Sequence, residues 1–376
     1  MRSRVLKAGL IIVLVTLCVV VPIVILLRQT SSPETENTED DVTVSWTSPT
    51  TAELYSVFMV NPDNGWAVGT HKTIIRWNGT TWNMVTNPAK YSADPTLNSV
   101  FMVSPDNGWT VGEHGTIIRW NGTSWNSVTS PTDHWLHSVF MVSADDGWAV
   151  GTGPGPGVII HWNGTTWNNV TSPLTSWFDS VFMVSADDGW AVGGDGIFFG
   201  DDGWALPGPE RVGRIIHWDG SSWKNVTSPT KSWLNSVFMV NADDGWTVGD
   251  EGTILHWNGT SWNNWTSPVT CGLSSVFMLN ADDGWAVGNL DGVGKIIHWD
   301  GTTWNNVTSP LTFWNSKLHS VYMVSADDGW TVGGWGTIQR WTGTEWIPEF
   351  SAATLMLILI SLTLAAVILK KATLKK

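Results

Sequence analysis

Short stretches of alternating apolar and polar residues, separated by turns rich in Gly and Asp, fill most of the chain, and one such stretch keeps returning. The segment SVFMV begins, with small changes, at Ser56, Ser99, Ser138, Ser180, Ser236, Ser275 and Ser320, at intervals of 39 to 56 residues. In the fifth copy four strand-like segments follow one another: SVFMV from Ser236, GWTVG from Gly245, TILHW from Thr253 and SWNNWTS from Ser261. Each is rich in β-branched and aromatic residues. Ala-Asp-Asp-Gly joins the first two and Asn-Gly-Thr the last two, hairpin turns in which Gly supplies the positive φ. Four strands per period of about 40 residues, with no helical periodicity between copies, is the pattern of a propeller blade. The expected fold class is all-β, a seven-bladed β-propeller over residues 43–347. Recurrent Trp positions, exemplified by Trp246, Trp257 and Trp262, are expected to fill the wedges between blades.

The seventh copy looks incomplete. After TIQRW it reaches Trp346 and then Pro348, which cannot donate to a ladder. Residues 44–49, VSWTSP, match the NWTSP of the fifth copy, with Trp46 on Trp265 and Pro49 on Pro268. This predicts an N-terminal strand closing the last blade and leaving no open edge. By strand direction it also predicts that both ends of the propeller leave from the rim of acidic turns.

Two apolar runs, Ala8 to Leu27 and Phe350 to Leu369, bracket the repeats and are each long enough to span a bilayer as a helix. Basic residues flank their outer ends, so the positive-inside rule places both tails in the cytoplasm and the propeller outside the plasma membrane. Residues 1–28 read as a signal anchor or signal peptide, 29–42 as a flexible acidic linker and 348–376 as a C-terminal transmembrane helix or sorting signal with a basic tail.

Composition sharpens this picture in three places. Residues 29–349 hold all 33 acidic residues but only 11 of the 19 Lys and Arg, which argues against nucleic acid as a partner. Cys271 has no second Cys outside the first apolar run, so the fold must hold by packing. The 29 Trp against 3 Tyr mark one motif copied many times.

At the GWAVG, GTII and NGTTW positions the repeat resembles that of the photosystem II assembly-factor propellers, a likeness that covers residues 43–346 and implies the fold more than the partner. The turn Ser185-Ala-Asp187-Asp-Gly189-Trp190 is more distantly similar to the Asp-boxes of sialidases, with its Trp too early. Pro348-Glu349-Phe350, followed by an apolar helix and a basic end, resembles the PEF-type C-terminal sorting signals of archaeal surface proteins. That resemblance implies an archaeal protein cut near Pro348.

Candidate sites follow from what repeats and what does not. One Asp stands at every turn between first and second strands (Asp63, Asp106, Asp145, Asp187, Asp243, Asp282, Asp327), a second Asp follows in five copies, and each Asp is expected to accept amide bonds in its own turn. Arg76, Arg119, His161, His217, His256, His298 and Arg340 precede the Trp of the third strand; they belong to separate blades and are expected to stack on neighbouring Trp, with no metal bound. Sequons at Asn169, Asn225, Asn264 and Asn306 lie on outermost strands and are glycosylation candidates, whereas Asn78, Asn121, Asn163 and Asn258 sit in turns that explain them. The variable loops share one face and carry Trp135, Trp177, Trp204, Trp233, Trp314 and Trp335, the expected ligand contacts for a protein or glycan partner. No GxSxG, HExxH or paired-Cys motif appears, and no catalytic residue or cofactor is assigned. The expected function is a membrane-anchored binding or scaffold module; the alternatives are a sialidase-like enzyme, which needs Arg211 and Arg214 to converge with a third Arg, and a structural coat or adhesion component.

Overall fold

The computed structural model describes residues 48–87, 94–153, 157–195, 212–311 and 316–349. They form seven four-stranded antiparallel sheets, each built from four consecutive strands. The first blade shows the plan: Leu54–Asn61, Asn64–Gly69, Ile74–Trp77 and Trp82–Met84 pair in order.

No single blade has a core of its own. Each of the seven apolar clusters mixes two neighbouring blades; in one, Leu54, Val57, Met59, Ala67, Ile75, Trp77 and Trp82 of the first blade pack with Trp330, Val332 and Ile338 of the seventh. Trp residues dominate these wedges, as expected. The Trp of each second strand meets the fourth-strand Trp of the next blade nearly edge-on, from Trp66 on Trp125 at 5.1 Å to Trp330 on Trp82 at 5.4 Å. Edge-to-face pairs add to the area that such rings bury. Each third-strand Trp also donates its indole N–H to the first turn of its own blade, as Trp77 does to Pro62 O at 2.9 Å and Trp341 to Ala326 O at 2.9 Å.

Two rings close around the axis. Val N–H of each first strand donates to the Ser Oγ of the preceding blade, and Val57 to Ser320 Oγ (3.2 Å) joins the first blade to the last. Beneath this ring of Ser lie six Phe and Tyr322, neighbours throughout, with Phe58 contacting both Phe101 (5.0 Å) and Tyr322 (4.8 Å). The repeated Ser and Phe are thereby explained: an innermost strand has one edge of unpaired amides, and the neighbouring blade's Ser satisfies one of them.

Closure differs from the expectation. The fourth strand of the seventh blade is Trp346–Glu349, paired residue by residue with Ile338–Trp341. Pro348 fits because it occupies the place of Met84, and in that blade the ladder amide belongs to the next residue, Val85 N–H to Ile74 O at 2.9 Å. Alternate amides of an outer strand point away from the ladder, so one of them can be missing. The match of Pro49 to Pro268 does hold, but for the loop after the strand: Ser48 Oγ donates to Thr50 O (3.0 Å) as Ser267 Oγ does to Val269 O (2.9 Å). Thr50 O lies so close to Gly336 that a Cβ there would sit 1.9 Å from it. Residues 43–47 lie outside the described residues.

This corrects the exit face as well. Fourth strands run from the acidic-turn rim toward the variable loops, so Glu349 ends on the variable-loop face, and Ser48–Thr50 sits there beside the turn containing Gly336. The first and last described residues, Ser48 and Glu349, thus both lie on the face opposite the acidic rim. Among the described residues no helix is long and apolar enough to cross a membrane, and the two apolar runs lie outside them.

Candidate functional site

The first strands carry a feature that their shared motif hides. In each, an apolar residue precedes SVFMV by two places: Leu54, Leu97, Leu136, Phe178, Leu234, Leu273 and Leu318, all buried. The Val three residues further on is buried too, which strict alternation forbids. The strand resolves the conflict with a bulge between Leu54 and Ser56, repeated in all seven blades. One extra residue is left unpaired at each bulge and is re-aimed. Those residues are Tyr55, Asn98, His137, Asp179, Asn235, Ser274 and His319, and they differ from blade to blade while their neighbours repeat.

All seven line one cavity of about 530 Å³ at the variable-loop end of the central channel, with the Ser ring as its floor. Trp135, Glu113 and Thr96 complete its rim. The volume lies within the range of ligand sites, roughly 300–1,000 Å³.

Two hydrogen-bonded groups dominate the wall. In one, His319 Nε2 lies 2.8 Å from Glu53 Oε1, Tyr55 OH donates to Glu53 Oε2 at 3.4 Å, and the Tyr55 and His319 rings are 4.9 Å apart. The His319 bond holds the Glu53 carboxyl below its usual range, although burial opposes it. Burial, together with Glu53, pushes the Tyr55 hydroxyl up to about 12. In the other group, His137 Nε2 is 3.1 Å from Thr152 Oγ1, its Nδ1 is 3.4 Å from Asp179 Oδ1, and Trp233 Nε1 donates to Asp179 Oδ2. Burial raises Asp179, more than His137 and Trp233 lower it. Hydroxyl, imidazole and carboxylate stand in the order of a nucleophile and its base. Thr152 does not line the cavity; the chain of contacts links the third and fourth blades.

The variable-loop Trp residues divide. Trp335 is 64% exposed at the tip of a turn with φ 54°, and Trp135 is 46% exposed on the cavity rim. Trp177 and Trp233 pack on each other at 6.0 Å, and Trp233 is committed to Asp179. Trp204 and Trp314 lie outside the described residues. The sequon residues Asn169, Asn225, Asn264 and Asn306 are exposed on fourth strands; Asn169 and Asn306 also donate across to Pro131 O (3.2 Å) and Pro268 O (3.3 Å) of the preceding blade.

The two outer rings have structural explanations. His161, His217, His256 and His298 stack on the second-strand Trp of their own blades at 4.2–4.3 Å, and Arg76, Arg119 and Arg340 lie over Trp rings. Each also pairs with the residue after the repeated Asp, as His161 does with Asp146 (2.7 Å) and Arg76 with Asn64 (3.2 Å). The repeated Asp does not cap its own turn: its N–H donates to the side chain two residues earlier, as Asp63 N does to Asn61 Oδ1 at 2.9 Å. An Asn or Ser at the first turn position does this job, and the Asp carboxylate is left beside the Gly of the next hairpin. Among the described residues no three metal-ligating side chains converge. Arg214 forms a bidentate pair with Asp195 (2.9 and 2.5 Å), the other described Arg residues lie on the third strands of three other blades, and Arg211 falls outside the described residues.

No family model matches the chain, and no curated protein does. Solved structures do. YCF48 bound to a D1 peptide is 19% identical with a TM-score of 0.59, over 83% of this chain and 99% of that one. YCF48 from Cyanidioschyzon merolae is 16% identical (TM-score 0.59; 78% and 96%), and the WD40 β-propeller domain of Doa1 is 12% identical (TM-score 0.60; 77% and 92%). At such identities the likeness establishes the β-propeller fold alone.

Proposed function

We propose that the chain is a β-propeller binding module, held at the outer surface of the plasma membrane by its terminal apolar runs, that takes up a protein segment in the channel mouth. The observation that carries this reading is the set of seven bulges: the first-strand positions that change chemical class most from copy to copy (Tyr, Asn, His, Asp, Asn, Ser, His) are the ones turned into a single cavity, whereas the buried positions change only between similar apolar or aromatic residues. Packing accounts for what repeats and leaves those positions unexplained. The peptide held by the similar YCF48 propeller supports a peptide over a sugar. The anchoring rests on the two apolar runs and their basic flanks.

A photo-crosslinking residue at Ser274, in the full chain within its host cells, tests the site. It should capture a discrete protein partner, and the same probe at Thr80, in a third-to-fourth-strand hairpin on the opposite face, should not. Capture at Thr80 with none at Ser274 would overturn the assignment.

A further inference from the structure

Resting on that reading, we infer that the element recognised at the channel mouth is a basic side chain, Lys or Arg, of an exposed partner segment. The cavity has seventeen lining residues, and none is Lys or Arg. Glu113 and Asp179 are among them, and Glu53 is joined to the wall through His319 and Tyr55. None of these three carboxylates is in a salt bridge to Lys or Arg, although Lys317 acts on Glu53 from a distance: Glu113 accepts the Thr96 N–H (2.9 Å), Asp179 is met by Trp233 and His137, and Glu53 by His319 and Tyr55. A carboxylate with spare lone pairs at the wall of a cavity lacking cations is suited to an incoming N–H donor.

The aromatic side of the cavity points the same way through a different chemistry. Trp135 is 46% exposed on the rim, where its ring offers a π-face. Tyr55 and His319 stand on the wall as well. An ammonium or guanidinium placed against an indole gains a cation–π attraction, while its alkyl stem covers apolar ring surface. At the floor each Ser Oγ already accepts a Val N–H, which leaves its own hydroxyl proton and a lone pair for a ligand. Below it the Phe ring lines the lumen, so a segment entering from the mouth meets an apolar collar under the Ser floor.

The purified full-length chain should be titrated with fluorescein-labelled Gly-Ser peptides that differ in one central residue: Arg, Lys, norleucine or Glu. Arg and Lys peptides should bind and weaken as salt rises. Glu113→Gln, which keeps an acceptor for Thr96 N–H, and Trp135→Ala should each weaken the Arg peptide by about three- to tenfold, the scale of one partly exposed charge or cation–π contact. Equal binding of the norleucine and Arg peptides, tighter binding of the Glu peptide, or unchanged affinity in both variants would overturn the inference. The crosslink from Ser274 separates the two readings. If the native partner is still captured there while no basic peptide binds, the ligand class fails and the binding mouth stands.

Discussion

Ring closure can be tested at a single hydrogen bond. Replacing Ser320 by Ala removes the acceptor of the Val57 N–H, 3.2 Å away, at the one junction where the first and last blades meet. Val57 is buried (4% exposed), so its amide loses its partner. Stranding a buried N–H costs about 1–3 kcal/mol. Ser320 lines the channel cavity, from which water can reach the vacated place, so the low end, about 1 kcal/mol, is expected. With an unfolding entropy of ~2.1 cal/mol/K per residue and roughly 300 residues, that lowers Tm by about 2 °C. Ser138→Ala, which removes the acceptor of Val181 N–H within the ring, should cost the same. The two sites share no contact and their effects should add to about 3 °C in the double variant. Scanning calorimetry at one fixed rate checks all three. If Ser138→Ala destabilises and Ser320→Ala does not, the seam is looser than the other junctions and the continuous ring is refuted.

Other consequences are sharper in sign than in size. A chain ending at Thr342 loses Trp346, which packs edge-on against Trp285 at 5.4 Å, and should lose cooperative melting, whereas a chain lacking residues 1–45 keeps the whole propeller and should melt as the intact protein does. Asp179 has a raised folded-state pKa, so its cost is absent at pH below its unfolded value of about 3.9 and grows as pH rises toward the folded value. Asp179→Asn should therefore be more stabilising, or less destabilising, at pH 7 than at pH 3 in paired urea melts. Glu53 is shifted the other way: its contribution is present above the unfolded value of about 4.3 and is lost as pH falls through the folded one. Glu53→Gln should accordingly narrow its stability gap to the parent on acidification. If the propeller is exported in a host that glycosylates sequons, intact-mass analysis should find sugar at Asn225 and Asn264, which make no side-chain hydrogen bond across to the preceding blade, at least as often as at Asn169 and Asn306.

Much of the fold was legible because a propeller repeats its physics with its sequence. The period, the two hairpins per blade and the Trp of the wedges could be read from any one copy. The closure was misread at one residue. Pro348 looks like a strand breaker in one dimension, but whether a missing N–H matters depends on which way that amide faces, and facing is set by register. The likeness of VSWTSP to the fifth copy was genuine and was carried by its last residues, which belong to the loop; it said nothing about the strand before it. The pairing of His161 with Asp146 was likewise out of reach of a periodicity argument, since the two stand in different rows of the repeat and meet only across the ladder.

The channel mouth went unread for a different reason. The constant motif begins at Ser56 and its counterparts, and the variable residue just before it belongs neither to the motif nor to the loops. Yet the signal was present. An apolar residue at position i and another at i+3, as in Leu54 and Val57, cannot both face one side of a regular strand. Seven such breaches at the same place demand seven bulges, and a bulge presents the residue between. Ser and Phe further along are held by neighbouring blades, so substitution there disturbs the ring. The bulged residues find different partners in different blades, His319 with Glu53, Asp179 with Trp233 and Asn98 with Leu136 O, so the frame does not demand one residue type there. A position that every blade is built to present and that the shared packing does not restrict to one residue type is where a propeller can acquire a ligand without altering its frame.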